Sequence, residues 1–323
     1  AAFDESGLPV HLRDTGLYAD GHGLQIRPNI IAFTPQYPLW SDGASKRRWL
    51  YLPPGAQIDA RDADAWEFPP GTKLWKEFAH DRAIETRYIE RRLDGSWHYA
   101  TYVWNADGSD ALLVPARGLR GIPAAAAPGG QYDLPARVDC LACHEGAAVP
   151  VLGFSALQLS TARDAAPGLN DVDLRGLVAR GLIRNLPPEL LDRPPVIAAA
   201  SATERAALGY LHGNCGHCHN DNGSPAPVAL VLAQSVTDGA ASTQRILRSA
   251  LNVAGRFRPA TGSGVQPIIK PARPDESVLL QRMRSRHAAT QMPPLGTRTV
   301  DMEGVALITS WISQLNPQKE PSQ

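Results

Sequence analysis

The chain's four cysteines come in two tight pairs, each closed at once by a histidine: Cys140-Leu-Ala-Cys143-His144 and Cys215-Gly-His-Cys218-His219. A C-x-x-C-H run is the attachment signature of c-type haem. Each thiol adds across one haem vinyl group as a thioether, and the adjacent histidine, held by the same turn, reaches the iron as proximal ligand. Two complete runs that use every cysteine point to two covalently bound haem c groups, with His144 and His219 on the irons.

Other chemistries fit the spacing less well. A zinc site wants its C-x-x-C pairs roughly 15–20 residues apart, or a C-x-x-C with H-x-x-x-H. Here about 70 residues lie between the pairs, and the constant companion is the following histidine. A thioredoxin-like pair needs one C-x-x-C at a helix start and leaves both histidines unexplained. Structural disulfides are the plainest alternative.

The elements that must position these groups differ along the chain. Up to residue 135 the pattern is β-rich. Ile84–Glu90 alternates, Asp94-Gly95 turns it into Trp97–Trp104, and Asp107-Gly108 turns that into Ala111–Val114. Alternation places Trp97, Tyr99, Thr101 and Val103 on one face, His98 and Tyr102 on the other. Ile122–Gln131, rich in Ala, Pro and Gly, reads as a linker, and Leu186–Pro195 as a second one. Between them lie the first haem motif and a helical stripe of Leu174, Leu177, Val178 and Leu182. Ser201-Ala-Thr-Glu204 has capping-box spacing and opens a helix that runs into Cys215. Further helices are expected over Ala241–Val253, Asp275–Arg286 and Asp301–Leu315, the last with Val305, Ile308, Ile312 and Leu315 on one face.

Composition narrows the function classes. Lys+Arg and Asp+Glu both number 32, which speaks against a broad basic footprint for nucleic acid. With 43% apolar and 20% charged residues the chain is that of a folded domain rather than a disordered one. No apolar run approaches the ~20 residues of a membrane span. Six of the seven Trp lie before residue 135 and all three Met after residue 280, so at least two domains with different cores are expected.

Tyr37-Pro-Leu-Trp-Ser-Asp-Gly-Ala-Ser-Lys-Arg-Arg-Trp49, Phe68-Pro-Pro-Gly-Thr-Lys-Leu-Trp-Lys-Glu-Phe78 and Ile84-Glu-Thr-Arg-Tyr88, followed by Cys140–His144, resemble a family of exported bacterial c-type cytochrome-like proteins. That resemblance covers roughly residues 15–185 and implies a β-rich region before a C-x-x-C-H motif. Residues 200–316 resemble a class I cytochrome c domain, which implies His219 and Met292 as axial ligands of the second haem. Met292 stands in the place expected of a distal methionine, before Pro293-Pro294, which forbid helix, and just ahead of the last helix. Its rivals, Met283 and Met302, fall within helices, where a methionine usually packs a core.

The expected architecture is therefore multidomain β plus α. A β-rich, sandwich- or barrel-like domain spans 1–135, a short helical segment with the first haem motif and a linker 136–198, and an all-α class I cytochrome c domain 199–323. For the first haem's sixth position the sequence offers His11, His22, His80 and His98, or His212 and His287, and decides between none of them. The functional expectation is a periplasmic or otherwise exported di-haem cytochrome passing electrons between redox partners: a dehydrogenase or quinol oxidoreductase and a terminal oxidase. No nucleic-acid partner and no membrane span are expected. An Ala-Ala start suits the end left by signal peptidase. Two alternatives stand beside it: a di-haem peroxidase- or oxidase-like enzyme with an open first haem, and a haem-linked sensor or binding module.

Overall fold

The computed structural model describes residues 1–19, 23–164, 168, 171–222, 228–258 and 264–317. The protein is mixed β and α, and its contacts divide the chain into two units. One comprises Ala1–Gln36, Gly43–His144 and Val149–Pro195; the other comprises Tyr37–Asp42, Glu145–Ala148 and Val196–Gln323.

The first unit is organised by period-two alternation. Its strands are β1 (Ile31–Ala32), β2 (Ser45–Tyr51), β3 (Ile58–Asp59), β4 (Lys73–Ala79), β5 (Ala83–Arg91), β6 (Trp97–Trp104), β7 (Ala111–Leu113), β8 (Leu119–Pro123), β9 (Gln131–Leu134) and β10 (Ile183–Arg184). Six of them form an antiparallel sheet in the order β1-β2-β4-β5-β6-β7. The β5–β6 hairpin closes at Asp94-Gly95 as expected, with Gly95 at φ +85° donating its N–H to the Arg92 carbonyl at 3.0 Å. Asp107-Gly108 likewise joins β6 to β7.

One face of the sheet is an aromatic core. Register sets Trp49 opposite Trp75 and Trp75 opposite Tyr88, and these pack with Tyr102, Leu8, Leu12 and Leu17. Their polar tips are satisfied, as burial requires. Trp75 Nε1 donates to Thr15 Oγ1 at 2.9 Å, and the Tyr102 hydroxyl donates to the Pro9 carbonyl at 2.8 Å. The opposite face carries Arg48, Lys76, Arg87 and Tyr99.

One linker expectation is corrected, and the second agrees with the division of the chain, the first unit ending at Pro195. Ile122–Gln131 is a hairpin connection: β8 pairs with β9, and Ala124 and Ala127 are buried against Ile84, Val114, Tyr132 and Leu134. Of the four alanines, Ala124 and Ala127 face this packing and Ala125 and Ala126 are exposed. Leu186–Pro195 contains a short helix, α3 (Glu189–Asp192). Before them in the chain come α1 (Arg137–His144) and α2 (Leu174–Ala179). Leu174 and Leu177 of α2 are buried as the stripe predicts, whereas Val178 is exposed.

The second unit holds α4 (Ala202–Asn214), α5 (Ala240–Ala250), α6 (Val278–Arg284) and α7 (Met302–Gln314). Ser201 Oγ accepts the Glu204 N–H at 3.1 Å, and the Glu204 carboxylate returns to the Ala200 N–H, so the predicted capping residues do start α4. Asp301 caps α7 by accepting the Gly304 N–H at 2.9 Å, and Val305, Ile308 and Ile312 are buried on its inner face. Helices α4 and α7 meet at Gly304, where an added Cβ would lie 2.5 Å from the Tyr210 hydroxyl oxygen. That hydroxyl donates to Asp301 Oδ2 at 2.9 Å.

Candidate functional site

The first motif occupies α1 of the first unit. Asp139 Oδ2 accepts the Ala136 N–H at 2.9 Å and starts the helix, and the Arg137 N–H donates to the Ala116 carbonyl at 2.8 Å. Gly118 permits this approach: at φ +71°, its missing Cβ would sit 2.5 Å from the Leu134 carbonyl oxygen. Cys140, Cys143 and His144 fall at i, i+3 and i+4, so one face of one turn carries both thiols and the imidazole. No disulfide joins any of the four cysteines. Burial pushes the Cys140 thiol up.

His144 is oriented from behind. Its Nδ1 meets the Pro150 carbonyl oxygen, which can only accept, so Nδ1 carries a hydrogen. That is the arrangement a metal-ligating histidine needs, with the far ring nitrogen anchored on a carbonyl. The ring packs 5.3 Å from that of Tyr99.

The second motif closes α4 in the second unit. The N–H groups of Cys218 and His219 both donate to the Cys215 carbonyl, at 3.1 and 2.9 Å, continuing the helical turn so that the i, i+3, i+4 pattern repeats. Burial pushes the Cys215 thiol up to about 12. His219 is buried, and its Nδ1 has no hydrogen-bond partner among the described residues. Burial, with the neighbouring His217 and Arg282 charges, pushes its imidazole down to about 4. A buried polar nitrogen left without a partner calls for an explanation, and a neutral, buried imidazole is in the protonation state that an iron ligand requires. In the cofactor-free chain the unfolded His219 binds protons that the folded one does not. Stability is therefore expected to fall by up to about 3 kcal/mol as pH drops from about 6.5 to 4. Urea titrations across that range should show the loss, and His219→Gln should flatten it.

Met292 lies in the loop between α6 and α7. Its N–H donates to the Arg282 carbonyl at 3.0 Å, and Arg286 Nη2 donates to its carbonyl at 3.4 Å. Arg282 therefore fastens this loop while its guanidinium is close enough to His219 to depress that imidazole. The rival methionines part company. Met283 is buried on α6, as expected, but Met302 is 70% exposed, because the first turn of α7 faces solvent there. Met283→Ala should cost about 3 kcal/mol and Met302→Ala less than about 0.5 kcal/mol, read from denaturant midpoints.

Residues Tyr37–Asp42 are the part of this site that local sequence patterns do not reveal. They pack on α4 at Gly209 and Gly213, where an added Cβ would lie 2.1 Å from the Tyr37 ring and 2.3 Å from its carbonyl oxygen. Asn214 Oδ1 accepts the Trp40 N–H at 2.7 Å, and its amide donates to the Pro38 carbonyl at 3.4 Å. Asp42 accepts from the Arg298 N–H, the Thr299 N–H and the Thr299 hydroxyl, each at 2.9 Å. One short segment thus braces both the helix entering Cys215 and the loop following Met292. The G-x-x-x-G spacing on α4 was the available signal.

The histidines of the first unit differ in what they meet. His11 Nδ1 is 2.8 Å from Asp110. His98 alternates with Tyr99 and lies on the face away from His144. His80 packs its ring 6.3 Å from that of Tyr132, and its buried Nε2 has no hydrogen-bond partner among the described residues. His22 lies outside the described residues. In the second unit, His212 Nδ1 accepts the Gln234 N–H at 3.1 Å and His287 Nδ1 accepts the Ala289 N–H at 3.3 Å.

No helix among the described residues is long and apolar enough to cross a membrane. No family model, curated protein or solved structure matches the chain.

Proposed function

We propose that the protein is a di-haem c-type cytochrome that passes electrons between redox partner proteins outside the cytoplasmic membrane. The observation that carries this reading is the His144 anchor: a C-x-x-C-H turn with both thiols out of disulfides and the imidazole Nδ1 on a backbone carbonyl. A bound haem c supplies reversible one-electron chemistry at its iron. Cys140 and Cys143 would hold the first group with His144 as proximal ligand. Cys215 and Cys218 would hold the second, with His219 and Met292 as its iron ligands.

The chain's own residues orient and enclose these positions. Pro150 fixes the His144 tautomer, burial keeps His219 neutral, and Arg282, Arg286 and Asp42 fasten the loop that carries Met292. Helix α4, packed on α7 and running directly into Cys215, supports the class I cytochrome c reading of the second unit.

A second reading rests on a specific observation. His11 is held on Asp110 and His98 lies on the face of the sheet opposite Tyr99, which favours an open distal position and a peroxidase- or oxidase-like enzyme. One pair of assays separates the two. A relay should accept electrons at both haems from a reduced small-molecule donor and show peroxide turnover below about 1 s⁻¹, the low end of enzyme rates. Faster steady-state turnover would replace the relay by the enzyme.

A further inference from the structure

The face of the sheet beneath α1 carries a row of three cations, of which only Arg87 is ion-paired among the described residues. Register sets Arg48 of β2 opposite Lys76 of β4, Lys76 opposite Arg87 of β5, and Arg87 opposite Thr101 of β6. Three positive side chains therefore stand in line on adjacent strands, spanning about 10 Å from Arg87 to Arg48. Like charges directly opposite one another destabilise a sheet. Burial sharpens the cost: Arg48 is only 7% exposed, and desolvation together with the Arg48 and Arg87 charges holds the Lys76 ammonium well below its ordinary range.

Among the described residues, only the Arg87 end has a hydrogen-bonded carboxylate. Its Nε and Nη2 donate to Glu85 Oε1 at 3.1 and 2.7 Å, and the Tyr132 hydroxyl donates to the same oxygen at 2.7 Å. The other Glu85 oxygen is buried with no hydrogen-bond partner among the described residues. Phe78 lies beneath, with Arg87 Cζ 4.4 Å and Lys76 Nζ 4.8 Å from its ring centre. Asp171 acts on Arg48 and Glu85 on Lys76 through charge, and neither Arg48 nor Lys76 makes a side-chain hydrogen bond to a described residue. Buried cations persist when an anion meets them.

The position of the row says which anion. Tyr99, on this same face, supports the His144 ring, and Arg87 and Glu85 are close enough to Cys140 to act on its thiol. The paired end of the row is thus beside the thioether cysteine, and the two cations without hydrogen bonds extend away from it. A haem carries its vinyl-derived thioethers on one edge and its two propionates on the opposite edge. We propose that Lys76 and Arg48 bind the propionate carboxylates of the haem attached at Cys140 and Cys143, while Glu85 and Tyr132 hold Arg87 at the thioether edge. This rests on the haem reading of Cys140–His144. It assigns Lys76 and Arg48 as positioning residues that set the haem's tilt on the sheet.

A free organic acid offers the same carboxylate chemistry, so the test separates the sources. Holoprotein, Lys76→Met, Arg48→Met and the charge-keeping Lys76→Arg would be compared by intact mass, resonance Raman spectroscopy and redox titration. Mass counts the haems independently: a wild-type protein with one haem and unreacted Cys140 and Cys143 thiols overturns the haem reading itself. With two haems present, the expected result is a shifted propionate-bending band and a lowered midpoint for one haem in both Met variants. The second haem's spectrum and midpoint should stay fixed, and Lys76→Arg should lie near wild type. Unmoved propionate bands in both Met variants would overturn the proposal. So would a saturable response of the wild-type midpoint to added succinate that Lys76→Met abolishes, because the row would then be a site for a free acid. If Arg48→Met does not fold, Lys76→Met and Arg48→Lys carry the same comparison.

Discussion

Met292→Ala is expected to lower the midpoint potential of one haem by a sizeable fraction of the ~0.8 V range that axial ligation spans, and to leave the other haem unmoved. A thioether opposite histidine favours the ferrous state, and its loss removes that preference. The loop itself should stay in place, because its fastenings are made by main-chain atoms. The Met292 N–H is on the Arg282 carbonyl, the Met292 carbonyl accepts from Arg286, and Asp42 holds the Arg298 and Thr299 N–H groups further along. The vacated position would then bind carbon monoxide. The long-wavelength methionine-to-ferric-iron charge-transfer band should vanish in this variant and persist in Met283→Ala. A band that survives Met292→Ala removes Met292 from the iron.

Gly213→Ala is expected to destabilise the second unit by about 4 kcal/mol, at the upper end of single-substitution effects. An alanine Cβ there would stand 2.3 Å from the Tyr37 carbonyl oxygen and 3.0 Å from its carbonyl carbon. Backbone cannot rotate out of the way as a flexible side chain does. The Tyr37–Asp42 segment would have to lift from α4, and with it would go the Trp40 N–H bond to the buried Asn214. The cost should appear as a lowered thermal midpoint of the second unit and, because Asp42 belongs to the same segment, as a weakened Met292 charge-transfer band. A stable protein with an unaltered band would mean that the segment does not brace the loop.

Legibility from sequence followed the physics of each element. The β5–β6 hairpin was readable because Asp94-Gly95 is a strong local turn signal between alternating runs. The cap of α4 was readable for the same reason: Ser201 and Glu204 act within four residues of themselves. The Ile122–Gln131 hairpin was not, since alanines and glycines read as linker, and only the burial of Ala124 and Ala127 shows that the segment packs. Met302 misled in the opposite sense, because an apolar residue at a helix start is not thereby on its buried face. The bracing by Tyr37–Asp42 and the Arg48–Lys76–Arg87 row depend on contacts far apart in the chain. No local period carries those, although each strand's alternation was plain.

The central claim is that both C-x-x-C-H turns hold haem, and intact mass of the denatured holoprotein tests it most directly. The protein would be produced with an exporting leader in a host that matures c-type cytochromes, then stripped of non-covalent groups with acid and acetone. The account predicts the polypeptide mass plus two haem groups, with no thiol left for alkylation at Cys140, Cys143, Cys215 or Cys218. A mass with one haem or none, and alkylated cysteines in either motif, would contradict it.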